Sequence, residues 1–189
     1  MRRNLGTSEF CREFGPVFDK VFAVPAKMSR DVLPFRSRDW QTVAVVAYHS
    51  LEPVDYCAVR VAATAGGDTE VVLTDAEAEP RHRYPVVFSW EEDLYKVYMQ
   101  GPVGTDAALF GRCGNWGVYF VWDARIAYVS GRSAFMETFM KNADGLEGIR
   151  TRLRIMLEET RDPYELDEIR LALAPLGWTI EELLETRRS

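Results

Sequence analysis

Trp116 to Trp122 (WGVYFVW) and Arg125 to Ser130 (RIAYVS) flank a two-residue link, Asp123-Ala124. Two runs rich in aromatic and β-branched residues, so joined, read as an antiparallel strand pair. Alternate side chains of a strand share a face, so Trp116, Val118, Phe120 and Trp122 stand on one face and Tyr119 and Val121 on the other. Both faces are apolar. A strand pair of this kind belongs in the middle of a sheet covered on both sides, and the rest of the chain must supply the covers.

The N-terminal segment offers one. Phe10, Phe14, Phe18 and Phe22 recur every four residues, with Val17 and Val21 beside them, a helical period opened by a Thr7 or Ser8 cap. Gly15-Pro16 cuts it, because an interior proline removes a helical hydrogen bond, and two short helical pieces, or a kink at 15–16, are expected. Residues 24–40 hold two prolines without a clear period and read as a loop.

Further strands are expected at Val43–Tyr48, at Asp55–Thr64 and Thr69–Thr74 (a hairpin turning at Ala65-Gly66-Gly67-Asp68), and at Pro85–Trp90. Leu94–Met99, behind three acidic residues, is assigned to a helix, and residues 100–115 to a glycine-rich loop. The remainder is helical. Ser133 caps a helix bearing Phe135, Met136, Phe139 and Met140, and Gly145–Thr160 carries Leu146, Ile149, Leu153, Met156 and Leu157 on one stripe. Asp162-Pro163-Tyr164-Glu165 and Thr179-Ile180-Glu181-Glu182 read as capping boxes. The fold class is therefore α+β: a mostly antiparallel sheet, a short N-terminal helical segment and a C-terminal run of three to four helices. A polar break at 141–145 divides an α+β domain, 1–142, from a helical appendage, 143–189, packed on the same core.

Charge narrows the partners. The 189-residue chain carries a formal −6. Residues 1–40 hold 8 basic and 5 acidic groups, 41–140 hold 7 and 13, and 141–189 hold 8 and 11. An excess of acid opposes nonspecific nucleic-acid binding, which depends on neutralising phosphates. Arginine outnumbers lysine 19 to 4, the mark of GC-rich coding and hence a bacterial source. No apolar run reaches membrane-spanning length and no signal segment opens the chain, so a soluble cytoplasmic protein is expected.

Few residue sets suggest chemistry. Cys11, Cys57 and Cys113 form no CxxC pair, and with His49 and His82 they give only five scattered zinc ligands. A Cys57–His49 pair would activate a thiolate, but nothing local singles it out over a small strand cysteine. Cys113, between Arg112 and Gly114, has the electropositive, glycine-rich surroundings that lower a thiol pKa; the plainer reading is a loop leading into the strand pair. Gly131-Arg132-Ser133 joins a strand to a helix and invites an anion, against a simple Ser133 cap. It is no nucleophile elbow, since Phe135 replaces the final glycine. Arg81-His82-Arg83 and the set Arg150, Arg152 and Arg154 read as solvated charge. The C-terminal helix pair has the size of a helix-turn-helix, but Glu181, Glu182 and Glu185 present the wrong sign to phosphate. No phosphate loop, dinucleotide fingerprint, HExxH or EF-hand loop occurs, so no cofactor, metal or catalytic residue is expected.

Asn115 to Tyr119, then Ile126 to Gly131, then Phe135 and Phe139 on a helix, resembles the end of some small bacterial immunity-type proteins, which bind and block a toxin domain. The likeness covers residues 115–139, rests on strand-to-helix architecture and transfers no functional residue. The function expected is thus non-catalytic: binding of another protein, steered by the acidic middle region toward a basic partner, with immunity or inhibition as one form. Exposed aromatics would anchor it, with Trp90, Trp116 and Trp122 as candidates. The alternative is a small-molecule binder or enzyme, its pocket lined by the thirteen aromatics of residues 84–140 with Arg112, Arg132 or Asp123 as polar groups. A third reading makes residues 143–189 the docking arm of an assembly subunit.

Overall fold

The computed structural model describes residues 2–23, 32–48, 50–76, 85–91 and 105–185. Its centre is the expected strand pair, β6 (Trp116–Val121) and β7 (Ile126–Gly131), in register from Trp116↔Gly131 to Val121↔Ile126 and joined through a 3₁₀ turn, Trp122–Ala124. Around it lie β1 (Arg3–Asn4), β2 (Gln41–Val46), β3 (Glu70–Asp75), β4 (Val86–Ser89) and β5 (Ala107–Gly111). Among the described residues, these seven strands form one sheet, ordered β1-β4-β3-β5-β6-β7-β2, with every pairing antiparallel.

Helices cover both faces. Gly15-Pro16 divides the N-terminal segment into α1 (Thr7–Glu13) and α2 (Gly15–Val21). Gly6 takes the N-cap position, so the expected Thr7 or Ser8 cap is absent; both lie inside α1. The rings of Phe14, Phe18 and Phe22 meet Phe110 of β5 edge-on at 5.8–6.5 Å. Phe22 can approach because its neighbour on β6 is Gly117. A Cβ there would sit 2.7 Å from Val21 and 2.8 Å from Phe22.

The opposite face is covered by α3 (Pro53–Ala65) and α4 (Ser133–Asn142). The strand expected over Asp55–Thr64 is thus a helix. Its buried residues, Asp55, Ala58, Val59, Ala62 and Ala63, follow helical spacing, with Pro53 in the first turn. Alanine is a strong helix former and a poor strand residue. Gly66-Gly67-Asp68 is consequently a helix exit, with Gly67 at φ +93°, and not a hairpin turn. The second correction is β5, within the expected glycine-rich loop. Ala107 to Gly111 pairs with β3 on one side and β6 on the other and is wholly buried. A strand covered on both faces shows no alternation, so its short apolar run gave no period-2 signal.

C-terminally, α5 (Gly145–Glu159), α6 (Pro163–Leu173) and α7 (Ile180–Glu185) follow α4. The Tyr128 hydroxyl of β7 donates to the Ala172 carbonyl of α6 at 2.6 Å, and Arg125 pairs with Glu165 at 2.6 Å. Ile149, Leu153, Ile169, Leu173 and Leu183 belong to the same hydrophobic cluster as the sheet. Thr179 and Glu182 form the reciprocal capping box. Asp162 caps α6 alone, since Glu165 is turned to Arg125. Ser133 caps nothing: Arg132 occupies the N-cap position and α4 opens without a side-chain cap. The expected 94–99 helix, His49 and the Arg81-His82-Arg83 cluster lie outside the described residues.

Candidate functional site

The aromatic candidates separate by burial. Trp90 and Trp116 are core residues, 6% and 1% exposed, and cannot serve as surface anchors. Their indoles lie 5.8 Å apart, and Trp116 stacks on Phe135 at 5.3 Å. Both bond to Asp68: Trp90 Nε1 donates to its carbonyl at 2.9 Å and Trp116 Nε1 to its Oδ2 at 2.8 Å. Trp122 is half-buried and its backbone N–H donates to Asp106 at 2.8 Å. Arg112 is exposed, lies over the Phe14 ring at 4.5 Å and stands 3.6 Å from both Glu13 and Glu70. It is a tether between α2's neighbour α1 and the sheet. Asp123 is exposed within the 3₁₀ turn. Arg132 is exposed and, with the buried Trp116, lines a cavity between the end of α3 and the start of α4.

Cys113 is held in the reverse of an activating environment. Its Sγ donates to Asp68 Oδ2 at 2.6 Å and its backbone N–H to Asp68 Oδ1 at 3.0 Å. Burial, and then the carboxylate beside it, push the thiol up to about 11. Of the two readings of Cys113, the electropositive, reactive thiol is the one this environment opposes. Cys11 and Cys57 are exposed. In native protein at pH 8, iodoacetamide should modify these two well ahead of Cys113, by peptide mass spectrometry, and denaturant should remove the difference. Preferential native labelling of Cys113 would contradict the geometry.

The surface itself singles out a different place. Tyr48 and Ile155, 45% and 48% exposed, converge on a depression of about 180 Å³ beside the end of β2 and along α5. Val46 and Met156 also line it, together with Glu52, Arg152 and Glu159. The two arginines nearby are already matched. Arg125 lies 3.7 Å over the Tyr48 ring and pairs with Glu165. Arg152 pairs with Asp55 at 2.6 Å, so it is not the solvated charge its sequence context suggests. Glu52 and Glu159 form no ion pair among the described residues.

No family model, curated protein or solved structure matches this chain.

The site must therefore be read from its own chemistry. Large apolar side chains placed singly on a surface need no explanation, whereas two that converge over an apolar floor with a polar rim have the anatomy of a contact site. Sequence alone could not find it. Tyr48 reads as the end of a buried strand and Ile155 as a helix residue off the main stripe; only the packing of α5 beside β2 brings them together. Among the described residues, no group of His, Cys, Asp and Glu is placed to hold a metal ion, and no helix is long and apolar enough to cross a membrane.

Proposed function

We propose that this is a bacterial, cytoplasmic protein that works by binding a basic surface of another protein through the Tyr48–Ile155 depression. One observation carries the reading: two exposed apolar side chains share a recess in which, among the described residues, the uncompensated charges are Glu52 and Glu159, both negative. Apolar anchors supply affinity when their neighbours exclude water. The acidic rim, on a chain of net charge −6, selects and steers a partner presenting lysine or arginine beside an apolar residue. Inhibition is the specific form that the resemblance of residues 115–139 to immunity-type proteins implies.

Native mass spectrometry of the tagged protein, purified gently from its host, tests this. A stoichiometric protein companion is expected. Tyr48→Ala/Ile155→Ser and Glu52→Lys/Glu159→Lys should each weaken its binding at least about tenfold, as loss of anchor or rim residues does at an interface. A control variant at an exposed residue of α6, Leu171→Ser, should leave it unchanged. A companion bound equally well by all four proteins, or no companion at all, would overturn the proposal. In the inhibitory form, the companion expressed alone arrests growth and co-expression of this chain restores it.

A further inference from the structure

The cavity between the end of α3 and the start of α4 is of another kind. Its volume is about 430 Å³, within the range of small-molecule sites and above that of the Tyr48 depression. Ala65 lies at its α3 side, Thr138 at its α4 side, and the stacked Trp116 and Phe135 rings form part of its wall. Among the described residues, Arg132 is the one lining residue with a formal charge. It is exposed and makes no ion pair among the described residues. The side chain of Asn115, also lining the cavity, makes no hydrogen bond among the described residues. Cys113 contributes a neutral thiol, already donated to Asp68.

The recess therefore combines a cation and a free amide with an aromatic and aliphatic wall, on a protein that is otherwise acidic. Arginine is suited to a carboxylate because its planar fork offers two parallel donors. The uncapped first turn of α4 adds a favourable field at the same end. We infer that this cavity binds a small organic monoanion, its carboxylate on Arg132 and Asn115 and its apolar part against Ala65, Ala134 and Thr138. The assignment is independent of the protein-binding surface, which uses none of these residues.

Calorimetric titration with benzoate and indole-3-acetate, beside the uncharged benzamide and indole-3-acetamide, tests it. Both acids should bind saturably at one site, and the amides at least about tenfold more weakly, the worth of a charge-assisted hydrogen-bond pair. Arg132→Ala should bring the acids down to the level of the amides, and Arg132→Lys should retain part of the difference. Ala65→Trp, at an exposed helix end, should block all four ligands while the near-ultraviolet circular dichroism stays native. Equal binding of acids and amides, an unaffected Arg132→Ala protein, or no saturable binding of either acid would overturn the assignment.

Discussion

Asp68→Ala is expected to lower the unfolding free energy by about 3 kcal/mol, because it strips an acceptor from several buried donors at once. Asp68 is 4% exposed, and its carboxylate receives Trp116 Nε1, the Cys113 backbone N–H and the Cys113 thiol. Removing it leaves an indole N–H in a residue only 1% exposed without a partner. An unsatisfied buried donor costs about 1–3 kcal/mol. Asp68→Asn keeps one carbonyl oxygen but turns an NH₂ toward other donors, so about 2 kcal/mol should be lost. Gly111→Ala attacks the same centre from β5, since its Cβ would fall on the Asp68 carboxylate. The distinguishing measurement is a double-mutant cycle in urea. Trp116→Phe removes the donor, so Asp68→Ala should cost about 1 kcal/mol less in that background. Strict additivity of the two would show that the indole–carboxylate bond contributes nothing.

That centre also marks how far sequence reasoning reaches. Patterns carried by neighbouring residues were legible: the β6–β7 pair, the phenylalanine stripe broken at Gly15-Pro16, and the Thr179–Glu182 box. Each depends on periodicity or spacing within a few residues. The α3 segment was misread because Val59 and Val61 suggested a strand while Ala58, Ala62 and Ala63 carried the helical face. Strand β5 was missed because an apolar run buried on both faces has no alternation to detect. The Asp68 centre joins residues 68, 90, 113 and 116, and the Tyr48 depression joins 48, 52, 155 and 159. Contacts between residues so far apart in sequence follow from tertiary packing. Among the described residues, Arg132 is the charged candidate that the fold leaves uncompensated beside the α3–α4 cavity, and the clue is local: a cation where a strand enters a helix.

The second large effect concerns Asp55, a side chain with no exposure whose Oδ1 receives Arg152 Nη2 at 2.6 Å. Arg152 also donates to the Ala143 carbonyl at 3.1 Å, so one guanidinium ties α3, the end of α4 and α5 together. Burial pushes the Asp55 carboxyl up to about 6, Arg152 opposes the rise, and Glu52 and Asp144 add to it. The folded value lies above the unfolded 3.8, so the native state holds this proton more tightly. The resulting stability is fully present below the unfolded value and is lost as pH rises through 6. Between pH 4 and 7 this group should cost the wild type about 2 kcal/mol. Asp55→Asn should remove that slope from urea midpoints measured across the range. Arg152→Ala leaves a buried carboxylate unpaired and should cost about 3 kcal/mol at pH 7. Part of the loss should return by pH 5 as Asp55 takes up a proton, and adding Asp55→Asn should rescue the variant at pH 7. Arg152 also lines the Tyr48 depression, which couples this titration to binding. Protonating Asp55 uncovers the Arg152 charge beside Glu52 and Glu159, so a basic partner should bind several-fold more weakly at pH 5.5 than at 7.5, by order-of-magnitude charge arithmetic. In Asp55→Asn the guanidinium is uncompensated at both values. Affinity should then be low throughout and nearly flat with pH, whereas a pH dependence like the wild type's would place the titrating group elsewhere.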